Sequence, residues 1–351
     1  MSTEEIYLPP GKRDELHQEV DACDREAESA RKASDQQQLL EHLERGLHLR
    51  RKLYVESSKE VTGACRRLCE ACNFAATTML QQENLKGAHH LLKRAEQVAD
   101  KCDLDRAITW NNLACYYRRT GKLRTAVTFL ERALAIEEHT GNADSAQTHL
   151  NLCATLSQLQ RHSDALYHAQ SALIRIYEIL SPLMLSGDLS DLKRPGNYGD
   201  EKHEQVTVLC IAYHNLAVEH EYLKNFESAV CTYAEGLRWA TRFLSEGHQL
   251  IGILRDSVEA VKGKLPASSR ALKRTTDLMQ GWSKPGARAD QSSRGRRSSG
   301  SDDDGSASER QLSRLITPRG KSHSPRGPSY SPRGRSHSRG DSEASFVDKD
   351  N

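Results

Sequence analysis

The chain has 351 residues, and its 50 lysines and arginines nearly balance 48 aspartates and glutamates, which leaves a formal charge of +2. No run of about 18 apolar residues is present, and the first residues carry no basic flank followed by an apolar core, so neither a transmembrane helix nor a secretory signal is expected. Nine cysteines in such a chain predict reduced thiols and a cytoplasmic protein.

Apolar residues recur three and four positions apart almost throughout residues 14–265, which predicts helices. Residues 1–13 are expected to be a flexible N-terminus, and residues 14–58 a helix pair that we interpret as a degenerate repeat. Gly87, Gly121 and Gly141 are expected to mark helix ends. The pattern therefore predicts an all-α fold.

Residues 59–265 contain an internal repeat. Residues 109–136 align with residues 148–175 without a gap at a shift of 39, and residues 212–239 form a third copy after an insertion. Residues 182–205, which carry glycine and proline, are expected to be the loop that separates the second and third copies. Residues 249–265 are expected to cover the end of the stack, and residues 266–283 to continue as a short terminal helix.

Large and small residues alternate across each repeat in a recognisable way, at Trp110, Leu113, Ala114, Tyr117, Ala126, Leu130 and Ala133. This alternation resembles the tetratricopeptide repeat (TPR) pattern, and the 39-residue spacing is similar to the long-period repeats of kinesin light chain-like adaptors. The resemblance implies a right-handed α-solenoid of antiparallel helix pairs. The small residues are expected where helix meets helix, because larger side chains would force the pair apart.

One asparagine recurs at the same place in each strong copy, at Asn112, Asn151 and Asn215. The resemblance implies that this position faces the concave groove of the solenoid. An amide has both a donor and an acceptor, so such a ladder is expected to bind the backbone of an extended peptide. The alternative interpretation is that each asparagine hydrogen-bonds a neighbouring helix end.

Further side chains are predicted on the same face, namely Asn111, Arg118, Arg119, Gln158, His214 and Tyr222. Arg118 and Arg119 favour an acidic or phosphorylated ligand, or else are solvated cations at a helix C-terminus. Ile108 and Ile211 stand where chaperone-binding TPR proteins carry lysines that clamp a terminal carboxylate. Binding of heat-shock-protein tails is therefore not expected.

Neither a metal site nor catalysis is predicted. Cys65, Cys69 and Cys72 share one helix face, but no second cysteine pair completes a zinc site, and small buried thiols are common in cores. The sequence contains no GxxxxGK[ST], GxGxxG, HExxH or GxSxG motif. We therefore expect a protein that is not an enzyme and uses no cofactor.

Residues 284–351 differ from the rest of the chain. These 68 residues include 16 serines, and 14 lysines and arginines stand against 9 aspartates and glutamates. Too few apolar residues remain to offset the entropy of ordering the backbone, so a disordered basic tail is expected.

The tail carries candidate phosphorylation sites. Thr317, Ser324 and Ser331 each precede Pro-Arg-Gly at a seven-residue period, which predicts a proline-directed kinase as a partner. Ser299 and Ser313 follow arginines, and Ser301 precedes an acidic run. Each phosphate adds about −1.5 to −2 in charge, so three would cancel the net +5 of the tail.

The sequence thus predicts a non-catalytic adaptor that binds an extended peptide of another protein and is regulated through its tail. One alternative is a structural subunit of a cytoskeletal or ciliary-flagellar assembly. Another is an RNA- or microtubule-associated protein that acts through the basic tail, although Tyr330 is the sole aromatic residue among its arginines, which disfavours nucleic acid as a partner.

Overall fold

The computed structural model describes residues 6–99, 102–140, 145–185 and 201–280. These ranges contain twelve α-helices and no β-strand, as the periodicity predicts. The helices are α1 Pro10–Lys32, α2 Gln36–Leu53, α3 Lys59–Gln81, α4 Leu85–Val98, α5 Asp103–Arg119, α6 Leu123–His139, α7 Ala146–Gln158, α8 His162–Leu185, α9 Glu201–Tyr222, α10 Phe226–Phe243, α11 Gln249–Lys262 and α12 Arg270–Gln280. None of those helices is long and apolar enough to cross a membrane.

Consecutive helices pack as five antiparallel pairs, from α1/α2 to α9/α10. We call α3, α5, α7 and α9 the first-helix layer and α4, α6, α8 and α10 the second-helix layer. Each first helix also packs on the next first helix, whereas successive second helices of the described ranges do not pack closely on one another. The first-helix layer is therefore the inner side of the stack, and the predicted TPR-type solenoid is confirmed.

The turn inside each pair contains one residue in the left-handed conformation. These residues are Ser34, Glu83, Gly121, Gln160 and Lys224, with φ between 59° and 75°. The N–H that follows each of them donates to a carbonyl in the last turn of the first helix, for example Asn84 to Met79 at 2.9 Å. This bonding closes each helix and reverses the chain. The helix end predicted at Gly121 is confirmed.

Gly87 lies elsewhere than predicted. It is in the first turn of α4, where its N–H donates to Oδ1 of the capping residue Asn84 at 3.1 Å. A Cβ atom on Gly87 would lie 2.6 Å from Sδ of Met79. The glycine therefore allows α3 and α4 to approach, while Gly141 lies outside the described residues.

Small residues occupy equivalent positions of the second helices. Ala126, Ala165 and Ala229 are completely buried in α6, α8 and α10. The burial predicted for Ala126 and Ala165 is thus confirmed. Gly236 continues the pattern in α10, because a Cβ atom there would lie 2.9 Å from Cβ of Tyr213 in α9.

Part of the predicted loop at residues 182–205 is helical, because α8 extends to Leu185 and α9 begins at Glu201. Pro182 has no N–H to donate to the carbonyl of Glu178, and the hydroxyl of Ser181 donates to that carbonyl at 3.1 Å instead. Residues 186–200 lie outside the described ranges.

The helices α11 and α12 pack on α10 and cover the end of the stack. Ser269 fixes the start of α12, since its hydroxyl donates to Oε1 of Glu227 in α10 at 2.7 Å and accepts from the N–H of Ala271. Residues 281–351 are not among those described, so the predicted disordered tail and the candidates Ser299, Ser301, Ser313, Thr317, Ser324 and Ser331 all lie outside the structure's description.

Candidate functional site

Buried amides join α3 to α5 in the first-helix layer. Asn112 Nδ2 donates to Asn73 Oδ1 at 2.9 Å. Asn73 Nδ2 in turn donates to the hydroxyl of Thr109 at 2.9 Å and to the carbonyl of Cys69 at 3.1 Å. All four residues are buried. The bonds from Asn112 to Asn73 and from Asn73 to Thr109 cross between α3 and α5 and would break if these helices slid, so they fix the register between the two repeats.

A second hydrogen bond between side-chain amides joins α5 to α7. Asn151 Nδ2 donates to Asn111 Oδ1 at 2.8 Å, and both side chains are buried. Asn151 is thus bonded to the residue before its repeat equivalent, Asn112. Two members of the predicted row of asparagines, Asn112 and Asn151, therefore bond to neighbouring first helices.

Several polar atoms beside this bond have no hydrogen-bond partner among the described residues. They are Nδ2 of Asn111, Oδ1 of Asn151 and the hydroxyl oxygen of Thr148, and all three atoms are buried. An unsatisfied buried polar group costs about 1–3 kcal/mol. The layer therefore holds an unused donor, an unused acceptor and an unused hydroxyl at the α5/α7 contact.

The third copy differs from the first two. His214 in α9 is buried against the ring of Tyr233 at a centroid distance of 5.3 Å, and burial lowers its pKa to about 4. The imidazole is consequently neutral at pH 7. Asn215 is half-buried, and its Nδ2 atom also has no partner in the described part of the chain.

The resemblance implies that these residues face an open concave groove, but Asn111, Asn112, Asn151 and His214 are buried in the free chain. The physical reason is the close approach of successive first helices. Side chains about one repeat apart come within hydrogen-bond distance of each other, and the contact that pairs them also removes them from water.

The last turn of α5 holds the two predicted arginines in different surroundings. Arg119 is half-buried, and its Nη1 atom donates to the carbonyl of Leu80 in the last turn of α3. Arg118 is buried beside the thiol of Cys115, whose pKa is raised by burial. Arg119 thus binds a helix-end carbonyl, and Arg118 presents a buried charge.

The equivalent ends of α7 and α9 are open to solvent. Gln158 and Tyr222 are both exposed. The ring of Tyr222 stacks on His162 at a centroid distance of 4.1 Å, and Nδ1 of His162 lies 2.9 Å from Oε2 of the buried Glu219. Of the nine predicted groove residues, five are buried, Arg119 and Asn215 are half-buried, and only Gln158 and Tyr222 are exposed.

The buried His149 and the half-buried His168 connect α7 to α8. Nδ1 of His149 lies 2.9 Å from Nδ1 of His168, so one ring donates a hydrogen bond to the other. Burial lowers the pKa of both rings, to about 4 for His149. A neutral imidazole pair of this kind cross-links the helix pair near pH 7.

The cysteines of α3 behave as small core residues. Cys69 and Cys72 are buried, and burial raises the pKa of each thiol to about 12. All nine cysteines have free thiols. Within the described ranges, no group of three or more histidine, cysteine or acidic side chains is arranged to hold a metal ion.

The repeat unit α5/α6 matches a known family. The tetratricopeptide repeat profile covers residues 107–140 of this chain. This match agrees with the repeat that the sequence pattern resembles, and no curated protein matches the chain.

Several solved structures are similar to this chain. BtubC (BKLC) from P. vanneervenii is 17% identical with a TM-score of 0.43, over 81% of this chain and 99% of that one. A Rap protein complexed with competence and sporulation factor is 14% identical with a TM-score of 0.44, over 77% and 78%. A putative kinesin light chain of Podospora anserina with TPR-like repeats is 15% identical with a TM-score of 0.32, over 73% and 99%. These similarities concern the fold alone.

The sequence interpretation missed Asn73 and Thr148. Asn73 precedes Asn112 by 39 residues, the repeat period, so continuing the ladder one copy towards the N-terminus would have found it. Thr148 is the repeat equivalent of Thr109. The tetratricopeptide repeat and the stacked helix pairs indicate a protein-interaction adaptor, and proteins of this kind are generally non-catalytic.

Proposed function

We propose that this chain is an adaptor that binds an extended peptide segment of a partner protein along the first-helix layer. The observation that carries the proposal is the unused hydrogen-bonding capacity of Asn111, Thr148 and Asn151 at the α5/α7 contact. An extended backbone offers carbonyl acceptors and N–H donors in alternation, so it satisfies such a row whatever its side chains are.

Binding requires a small opening of the layer, because the unpaired atoms lie below the surface of the free chain. The backbone of the peptide would enter between α5 and α7 and replace the single bond between Asn111 and Asn151 by bonds to both amides. The free chain is then the closed member of a closed–open equilibrium, and the ligand shifts it by the difference in its affinity for the two states.

Peptide selection with matched variants tests this proposal. A random peptide library is selected on the full chain, and one selected synthetic peptide is titrated by calorimetry against the wild type and the double variant Asn151→Ala/Asn215→Ala. The double variant loses the hydrogen bonds from Asn151 and Asn215 to the peptide, which contribute about 0.5–1.5 kcal/mol each. Binding is expected to weaken about tenfold, since about 1.4 kcal/mol corresponds to a factor of ten in affinity.

Asn73→Ala is the matched control, because both Nδ2 and Oδ1 of the Asn73 side chain already form hydrogen bonds within the chain. This variant is expected to melt earlier but to bind the peptide with wild-type affinity while folded. If the double variant stays folded and binds as tightly as the wild type, the binding surface is not the first-helix layer.

The proposal includes regulation through the tail by a proline-directed kinase. Its support is the seven-residue period of Thr317, Ser324 and Ser331. Mass spectrometry of the chain purified from its native cells is expected to find phosphate on these residues. The nine free thiols favour a reducing compartment, and we propose a cytoplasmic location. A tail that is unmodified under growth and division conditions alike would remove this part of the proposal.

One observation favours the structural-subunit alternative. Tyr167 and Ile174 lie two turns apart on α8 and are 63% and 59% exposed, which leaves an apolar strip on the second-helix layer. If that strip anchors the protein in a cytoskeletal assembly, Tyr167→Ser/Ile174→Ser is expected to move it from the pelleted to the soluble fraction of a lysate. Asn151→Ala/Asn215→Ala is not expected to do so.

A further inference from the structure

Arg118 is a buried cation without a counter-charge. Its side chain lies in the last turn of α5 and the residue is 8% exposed. No ion pair joins it to a carboxylate of the described ranges, and its hydrogen-bond partner there is the thiol of Cys115, whose pKa burial raises. A largely buried charge whose partner is a neutral thiol is stabilised less than one paired with an anion, and a ligand that supplies a carboxylate or phosphate would complete the pair.

Arg50 shows how the same chain treats an equally buried arginine. It is also 8% exposed, but its Nη2 atom binds Oδ2 of Asp24 and its Nη1 atom donates to the carbonyl of Gly46. Asp24 also pairs with Arg67 at 3.3 Å. The stack therefore supplies a carboxylate where an arginine serves the fold, and supplies none at Arg118.

In the third repeat copy, the position equivalent to Arg118 carries a charged residue that has an ion-pair partner. The equivalent residue in the third copy is Glu221, whose carboxylate accepts from the hydroxyl of Tyr233 at 2.8 Å and from Nζ of Lys264 at 2.9 Å. The site at the end of the first helix can thus hold an ion pair.

Arg118 and Asn111 lie on one stripe of α5, because residues seven apart fall on the same helix face. At 1.5 Å per residue they are about 10 Å apart along the axis. An extended peptide advances about 3.3 Å per residue, so about three residues would span the distance from the unused donor of Asn111 to the guanidinium.

We infer that Arg118 anchors an acidic side chain of the bound peptide, placed about three residues from the position whose carbonyl accepts from Asn111. This inference rests on the proposed peptide-binding function and adds a charge requirement to it. A guanidinium binds a carboxylate or a phosphate through two parallel bonds, and the geometry suits either anion.

Four degenerate nine-residue peptide pools test the inference, each fluorescently labelled and differing at the central residue, which is Glu, phosphoserine, Gln or Lys. Anisotropy titrations use the full chain as wild type, Arg118→Gln, Arg118→Lys and Arg118→Glu. Arg119→Gln is the matched control, since Arg119 already binds the carbonyl of Leu80. Thermal melts accompany each titration, and Arg118→Lys keeps the charge if Arg118→Gln folds poorly.

The wild type is expected to bind the Glu pool at least tenfold more tightly than the Gln pool, and salt is expected to reduce this ratio. Arg118→Gln should remove the preference without changing affinity for the Gln pool, Arg118→Glu should favour the Lys pool, and Arg119→Gln should behave as wild type. A phosphoserine pool that binds best would identify phosphate as the anion.

Two results would overturn the inference in distinguishable ways. If the pools bind equally and Asn151→Ala/Asn215→Ala weakens them all, peptide binding stands and the anionic anchor does not. If no pool binds the full chain, the proposed function fails together with the anchor.

Discussion

The two helix layers bury different side chains. The first helices enclose polar groups, of which Asn73, Asn112, Asn151 and His214 are buried as completely as the apolar core. The second helices α4 and α8 bury alanine, leucine and isoleucine at the same depth. Two surfaces built from one repeat therefore contribute differently: the second-helix layer supplies packing energy, and the first-helix layer supplies register and hydrogen-bonding capacity.

This difference shows why the polar layer is the better candidate for recognition. An apolar contact is satisfied by any well-packed neighbour, so the buried alanines and leucines of α8 need no partner outside the chain. A buried amide needs hydrogen-bond partners of defined geometry. Nδ2 of Asn111 and Oδ1 of Asn151 have no such partner among the described residues. The following four changes test the contrast between the layers.

The largest effect is expected from overpacking the second-helix layer. Ala126→Leu and Ala165→Leu each insert a side chain where the existing one is fully buried, and each is expected to lower the free energy of unfolding by about 1–3 kcal/mol. The two effects in one chain should sum, and urea titration of the single and double variants measures them. Unchanged melting in both single variants would mean that the repeat register assigned to these helices is wrong.

In the polar layer, Asn73→Ala is expected to cost about 1–3 kcal/mol, because Asn112 loses its acceptor and Thr109 loses a donor while both stay buried. Asn73→Ala, Asn112→Ala and the double variant form a thermodynamic cycle. The double variant should cost less than the sum of the single ones. Strict additivity would show that the 2.9 Å contact between the amides contributes no coupling.

Acid is expected to destabilise the α7/α8 pair. The pKa of His149 is about 4 in the folded chain and about 6.5 when unfolded, so the unfolded state binds more protons between these values. Stability should be complete above about pH 6.5 and fall by up to about 1.4 kcal/mol per pH unit as the pH drops towards 4.

The measurement for that effect is denaturation at pH 7, 6 and 5 of the wild type and of His149→Gln. Asp164, Arg161 and Arg175 also act on the pair, with the carboxylate raising the pKa of His168 and the arginines lowering those of their neighbours. His149→Gln should flatten the pH profile by about 1 kcal/mol per unit. Parallel profiles for the two proteins would exclude His149 as a source of acid sensitivity.

The smallest effect is a gain. Gly63 lies within α3, and a Cβ atom there would meet no other atom within 4 Å. Gly63→Ala is therefore expected to stabilise the fold by about 0.5–1 kcal/mol. Gly236→Ala in α10 is the opposed control, since its Cβ atom would lie 2.9 Å from Cβ of Tyr213 and should destabilise. Equal effects of the two substitutions would remove the distinction between an open and a close helix face.

Much of the fold follows from local pattern. The 39-residue period specifies the helix pairs, and burial of Ala126 and Ala165 follows from matching the copies. Turns were harder to place, because Glu83, Gln160 and Lys224 adopt the left-handed conformation without being glycine. The hydrogen bonds that close each helix stabilise the left-handed conformation of these residues. Those bonds depend on the whole turn and not on the identity of one residue.

The sequence by itself determined which residues repeat, and hence the helix pairs, the small residues between them and a polar row on the first helices. Only the tertiary structure decided where that row lies. The distance between successive first helices brings Asn111 to Asn151 and Asn73 to Asn112, so side chains that periodicity places on an open face are buried in helix contacts. The packing of these helices also gives two adjacent arginines different surroundings. Arg119 donates to the carbonyl of Leu80, whereas no carboxylate of the described residues pairs with Arg118. Such distances depend on residues far apart in the chain, which no local pattern specifies.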